Sequence, residues 1–156
     1  MEINILIDEL KSVHSGKNEW QPSLMESLRG INYEQAAARP IENAHNIWEL
    51  VAHITGWEDV FRCRFEGQKT VEPEAGDFPM PADESEKAWT RTLEDLEDVH
   101  QKLLNVVAGF SDSILETEIA GKDYSFRFLL RETAKHKVYH SGQISLLKKA
   151  FGEMEK

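Results

Sequence analysis

Apolar residues recur every three or four positions in four separate stretches of the chain, which is the spacing of amphipathic helices. The four predicted helices cover about residues 2–28, 46–66, 83–110 and 125–151. The sequence shows no strong strand pattern and no internal repeat. The pattern therefore predicts an all-α protein, an antiparallel four-helix bundle formed by one domain over residues 1–156.

Caps and breakers refine the ends of these helices. Asn46 followed three residues later by Glu49 has the form of an N-terminal cap. Gly16 lies inside the first stretch, so a bend or break is expected there. Segments 29–45 and 67–82 hold four of the five prolines and are predicted to connect helices.

The composition narrows the classes of function. The net charge of −10 disfavours nucleic-acid partners, which require a basic face. No apolar run approaches the roughly 20 residues of a membrane span, and the N-terminus lacks a basic signal-peptide region. We therefore expect a cytoplasmic protein without nucleic-acid or membrane partners. The single cysteine excludes an intramolecular disulfide.

Two histidines interrupt the inner apolar stripe of the fourth predicted helix. Their spacing of four residues places His136 and His140 on the same face, one turn apart. The stripe consists of Phe126, Leu129, Leu130, Thr133, His136, His140, Ile144, Leu147 and Phe151. Buried imidazoles must satisfy both ring nitrogens, and a divalent metal ion meets that need by accepting a lone pair from each.

A third ligand is expected from a facing helix, and His53 is our choice because it borders the apolar stripe of the second helix. Three histidines would leave a position open for water or substrate, as catalytic metal sites do. Glu49 and Glu132 each precede a proposed ligand by four residues, so either is predicted to orient an imidazole or act as a base. The alternative is a set of core histidines hydrogen-bonded to carbonyls and to these glutamates.

Two motifs resemble those of the DinB/YfiT-like family. The segment 45–54, His-Asn-Ile-Trp-Glu-Leu-Val-Ala-His-Ile, is similar to the second helix of that family, and segment 136–144, His-Lys-Val-Tyr-His-Ser-Gly-Gln-Ile, to its fourth. The resemblance implies an up-down-down-up four-helix bundle, often a homodimer. It also implies a divalent metal ion bound by His53, His136 and His140. Lys137 departs from the aspartate of many relatives.

The resemblance also implies a class of chemistry, because characterised members of that family use low-molecular-weight thiols. Our first hypothesis is a metal-dependent enzyme, an S-transferase or hydrolase, that activates a small thiol or water toward a small-molecule substrate. Zinc or nickel suits imidazole ligands best. The second hypothesis is a non-catalytic, metal-stabilised bundle that acts as a dimeric stress-response or interaction module. The third is a metal-free bundle.

Overall fold

The structure is a computed structural model that describes residues 1–154. Its elements are α1 (Glu2–Ser15), α2 (Leu24–Leu28), α3 (Tyr33–Ala37), α4 (Ile47–Phe65), α5 (Glu86–Val107), a 3-10 helix (Asp112–Ile114) and α6 (Phe126–Met154). Within this range no strand occurs, and one isolated antiparallel bridge joins Glu118 to Ser125. The prediction of an all-α helical bundle is confirmed.

The start of α4 is fixed by the cap that the sequence predicts. The Asn46 side chain accepts a hydrogen bond of 2.8 Å from the backbone N–H of Glu49. The Glu49 carboxylate in turn accepts one of 2.8 Å from the backbone N–H of Asn46. This reciprocal pair satisfies two donors that a helix end leaves free.

The first predicted helix is shorter than the sequence pattern indicates. It ends at Ser15, where the backbone N–H of Gly16 bonds to the carbonyl of Ser12 at 3.0 Å. A Cβ atom at position 16 would lie 2.7 Å from the Cα of Ser12, so a glycine is needed there. The break expected at Gly16 is therefore present, and the stretch 2–28 forms two helices, α1 and α2, although the apolar spacing continues across the break.

Helices α4 and α5 run in the same direction. The Trp48 indole N–H bonds to Thr92 at 2.9 Å, and ten residues further along α4 the Glu58 carboxylate meets His100 at 2.8 Å. The contact positions thus increase together along both helices. The connection 66–85 is long because the chain must return along the length of α4 before α5 begins, about 27 Å.

Helix α6 runs opposite to α4 and alongside α1. Phe65, at the end of α4, packs against Phe126 at the start of α6, while His53 meets the middle of α6. Glu2 pairs with Arg127 near the start of both α1 and α6. The four long helices therefore form an up-down-down-up bundle, the arrangement that the family resemblance implies.

The apolar core has two parts. One lies between α1, the end of α5 and the first half of α6, and the other between α2, α3, the start of α4 and the last part of α6. Between them lies what we call the polar layer: His14, His53, Glu58, His100, His136, Lys137 and His140. The polar layer thus places seven titratable side chains between the two parts of the apolar core. Among residues 1–154, no helix combines the length and apolarity needed to cross a membrane.

Candidate metal centre

Three histidines of the polar layer converge on one point. His53 extends from α4, and His136 and His140 extend from α6 one turn apart. The Nε2 atom of His136 lies 2.9 Å from that of His53 and 3.1 Å from that of His140. One nitrogen from each ring fits within 4.8 Å of the other two. The structure thus brings together the three residues that the sequence analysis selects as metal ligands.

The outer nitrogens of two of these rings are held by oxygen acceptors. The Nδ1–H of His53 donates to the backbone carbonyl of Asp77 at 2.7 Å. The Nδ1–H of His140 donates to the Oε1 of Gln143 at 2.6 Å. A carbonyl oxygen only accepts, so in the neutral rings the proton stays on Nδ1 and the Nε2 lone pair faces inward.

The directions of the nitrogen lone pairs show whether a metal ion fits between the three rings. His136 Nε2 faces the lone pairs of both His53 and His140, and it carries at most one proton to share between them. At least one of these two nitrogen–nitrogen contacts therefore has no proton between the facing lone pairs, which repel each other. A divalent cation resolves this, since it accepts a lone pair from each ring. Tetrahedral zinc, with bonds of 2.0–2.1 Å, separates its ligand nitrogens by about 3.3 Å, close to the spacing found here.

The surroundings of His136 and His140 favour the neutral form of both rings. Burial, reinforced by His140 and His53, lowers the pKa of His136 from 6.5 to about 4. Burial also lowers the pKa of His140. Neutral imidazole is the form that binds metal, so these shifts prepare the site for a cation at neutral pH.

Residues of the loop between α4 and α5 cover the histidines. Phe78 stacks between two imidazoles, 4.0 Å from His53 and 3.7 Å from His45, with planes within 5°. The Trp57 indole N–H donates to the Asp77 carboxylate at 2.7 Å and so secures the loop. The sequence analysis missed Asp77 and Phe78, because loop residues carry no periodic signal that ties them to a distant helix.

The two predicted glutamates lie outside the histidine cluster. The Glu49 carboxylate bonds to the backbone N–H of Asn46 and to Arg39 at 3.0 Å. Burial alone would raise the pKa of Glu49, but the hydrogen bonds from Arg39 and Asn46 outweigh it and lower the pKa. Glu132 is half-buried and pairs with Lys135 at 2.8 Å. Neither carboxylate has a hydrogen bond to His53, His136 or His140 among the described residues, so their role as base or orienting group stays a prediction.

The rest of the polar layer is a second cluster, next to the first on α6. The ammonium of Lys137 lies 2.9 Å from a Glu58 oxygen and 3.0 Å from Nδ1 atoms of His14 and His100. His14 is 1% exposed, so it is a fully buried member of this cluster. The sequence does offer one signal for this second cluster. Glu58 is a charged residue at a position that continues the inner apolar stripe of α4.

Burial and charge act in opposite directions on this second cluster. Burial alone would raise the pKa of Glu58, but the Lys137 charge and the His100 hydrogen bond lower it from 4.5 to about 2. Burial lowers the pKa of Lys137, although its contacts with Glu58 act the other way. Burial, with the Lys137 charge, lowers the pKa of His14 from 6.5 to about 4.

A comparison with protein-family models agrees with these observations. The model described as DinB superfamily matches residues 19–144, about four fifths of the chain. The match includes the whole of α4 and the three converging histidines, and it confirms the resemblance inferred from the two motifs. Searches of curated proteins and of solved structures gave no match.

Proposed function

The chain belongs to the DinB superfamily, and we propose that it binds one divalent metal ion through His53, His136 and His140 and is a metal-dependent enzyme. The observation that carries this proposal is the convergence of three Nε2 atoms, two of them with lone pairs directed inward by Asp77 and Gln143. Zinc or nickel fits a set of imidazole ligands best.

When bound, such an ion supplies Lewis acidity that activates a small thiol or a water molecule. The remaining steps fall to the protein. Asp77 and Gln143 fix the ring orientations, and Phe78 shields the His53 ring from solvent. Three protein ligands leave room for a further ligand, as metal sites of hydrolases and transferases require.

A pocket next to the histidines supports a small-molecule substrate. It has a volume of about 280 Å³. Its lining consists of Ile41, Asn43, Ala44, His45, Leu50, Gln143, Leu146 and Leu147. Gln143 links this pocket to the proposed ligand His140, and His45 links it to His53 through the stacked Phe78. The mixture of aliphatic and amide groups suits a small substrate with an apolar part.

Glu49 is the better placed of the two proposed bases. It pairs with His45, a lining residue of this pocket, at 3.7 Å, whereas Glu132 pairs with Lys135. Its lowered pKa keeps it ionised at neutral pH. We propose that Glu49 acts as a base toward the substrate by way of His45, with which it pairs.

Metal analysis of tag-free protein tests the site. We expect about one zinc or nickel ion per chain after loading and desalting, and a strong loss in His140→Ala. His45→Ala is the matched control, because His45 is half-exposed and lies near the cluster without joining it. No stoichiometric metal in the unmodified chain, or equal losses in the two variants, would contradict the proposal.

A conjugation assay tests the reaction. We expect metal-dependent coupling of a bimane-type electrophile to at least one low-molecular-weight bacterial thiol, or metal-dependent hydrolysis of small esters or amides. Both should disappear in His140→Ala, whereas His45→Ala should keep its metal but lose activity, because Glu49 is proposed to act through His45.

A second function is favoured by one observation: the ligands join α4 to α6, so a metal ion would cross-link two helices. A non-catalytic, dimeric module would then gain thermal stability on metal binding without turnover. Metal-dependent stabilisation together with a dimer by light scattering, and no activity in the assays above, would favour this module over the enzyme.

A further inference from the structure

A groove between α1 and α6 has no part in the metal chemistry proposed above. Its volume is about 490 Å³, within the roughly 300–1,000 Å³ that is typical of small-molecule sites. It shares no lining residue with the pocket of Ile41 and Leu147 that is proposed for the substrate. The groove is therefore a separate candidate site for a small ligand.

The floor of the groove is apolar. Val13 comes from α1, and Ala134 and Val138 come from α6. Ala134 belongs to the part of the apolar core between α1 and α6, and Val13 packs against that part, so the floor extends the core toward the surface. Val138 is 37% exposed. An apolar group that enters the groove thus removes apolar surface from water, which is favourable.

An aromatic ring forms one wall of the groove. Tyr139 lines it and is 64% exposed. The Tyr139 ring meets that of His140 edge-on, with centroids 4.9 Å apart and planes at 70°, so it has a packing partner on the side of the metal centre. The face of a phenol ring attracts a second aromatic ring or an organic cation. This wall therefore favours a ligand that is aromatic, positively charged or both.

Several polar groups at the rim already have partners within the protein. The Ser12 hydroxyl donates to the side-chain oxygen of Asn18, and the Asn18 amide donates to the backbone carbonyl of Ser12 at 3.0 Å. The Lys135 ammonium pairs with Glu132 at 2.8 Å. Gln21 adds a neutral amide. The one positive charge that lines the groove is therefore compensated by a carboxylate of its own helix.

Glu9 is a charged group of the rim that has no ion pair among residues 1–154. Its side chain lines the groove and is exposed. Lys11, on the same helix, pairs with Asp8 at 3.9 Å instead. The uncompensated charge at the rim is thus negative, and the net charge of −10 adds a long-range attraction for cations.

We propose that the groove between α1 and α6 binds a small organic cation, an ammonium compound with an aromatic body. The aromatic body packs on Val13, Val138 and the Tyr139 ring, and the ammonium group lies against the Glu9 carboxylate. This binding does not require a metal ion, so it stands or falls independently of the enzyme proposed above.

An NMR titration at low ionic strength, with a chelator present, tests this assignment. The probes are phenethylammonium and phenethyl alcohol, which share the aromatic ring and the chain length and differ in charge. We expect both probes to shift the backbone amide resonances of Val13, Val138 and Tyr139. The cation should bind about threefold more tightly, which is the effect of one exposed charge pair. Equal affinities, or shifts confined to other parts of the chain, would overturn the proposal.

Single substitutions separate the charge from the aromatic contact. Glu9→Gln should abolish the preference for the cation and leave the affinity for phenethyl alcohol unchanged. Asp8→Asn is the matched control and should keep the preference, because Asp8 is an exposed acid of α1 that does not line the groove. Tyr139→Ala should weaken both probes about fivefold. A preference that survives in Glu9→Gln, or unchanged affinities in Tyr139→Ala, would contradict the assignment.

A second copy of the chain is the competing occupant of this face. Light scattering and the same titration at several protein concentrations distinguish the two. We expect the affinity for phenethylammonium to be independent of protein concentration. An affinity that falls as a dimer forms would show that the partner chain covers the groove, and it would overturn the proposal.

Discussion

Replacing Glu58 by glutamine should strongly destabilise the bundle. The substitution keeps the shape of the side chain but removes the charge that faces the Lys137 ammonium at 2.9 Å. The drop in the pKa of Glu58 from 4.5 to about 2 corresponds to about 3 kcal/mol at neutral pH, at 1.36 kcal/mol per pKa unit. Breaking one side of a buried ion pair typically costs about 3–5 kcal/mol, which agrees.

Urea unfolding followed by circular dichroism measures this loss. A chelator is present throughout, because a bound metal ion would add its own stabilisation. Glu132→Gln is the matched control: that glutamate is half-buried, pairs with Lys135 on the same helix, and should change the free energy of unfolding by less than about 0.5 kcal/mol.

The pH dependence gives a second check with a defined sign. A carboxylate whose pKa is lowered in the folded state stabilises the protein above its unfolded pKa, and this contribution is lost as the pH falls toward the folded pKa. The difference between the unmodified protein and Glu58→Gln should therefore shrink from about 3 kcal/mol at pH 7 to about 2 kcal/mol at pH 3.5. A loss below about 1 kcal/mol at pH 7, or one independent of pH, would refute this reasoning.

The ion pair between Glu58 and Lys137 should contribute less to the free energy of unfolding than is lost when only one partner is removed. Burial lowers the pKa of Lys137, which shows that the ammonium itself is destabilised by its surroundings. A double variant, Glu58→Leu with Lys137→Met, removes both buried charges together. We expect it to recover most of the stability lost in Glu58→Gln, because apolar replacements of buried ion pairs are often neutral or stabilising.

Three further substitutions test separate features. Gln143→Ala should lower zinc affinity about 10–100-fold in a chelator competition, because it frees the His140 ring; an unchanged affinity would contradict this. Leu130→Ala, at a position 1% exposed, should lower the free energy of unfolding by about 2–5 kcal/mol without changing metal content. Asn46→Ala should cost about 1 kcal/mol in urea unfolding, and Asn46→Asp, which keeps the cap acceptor, clearly less.

Much of the fold can be predicted from the sequence, because periodic burial is a local signal. The stripe that contains Leu50 and Ile54 predicts α4, and the Asn46 cap places its start. The break after Ser15 is indicated by Gly16 but not by the apolar spacing, because both sides of the break contribute core residues. The parallel α4–α5 pair also escapes it, because apolar spacing alone does not determine helix direction.

The candidate site divides in the same way. His136 and His140 follow from their spacing, and His53 from its place beside the stripe. Asp77 reaches His53 from an irregular loop 24 residues away, a contact without any periodic signal. Lys137 looks like an ordinary charged helix residue, and its burial depends on partners supplied by three other helices.

The polar layer also has a consequence for how the helices align along the bundle axis. A helix that slides by one turn moves about 5.4 Å. For α5, that slide would replace His100 with Leu96 or Leu104 opposite the buried Glu58 carboxylate and leave its charge in apolar surroundings. Reversing α5 would separate the same partners. Leucine-rich faces tolerate such slippage, whereas buried charges do not. We therefore expect the charges of this layer to select one axial offset and one helix direction during folding.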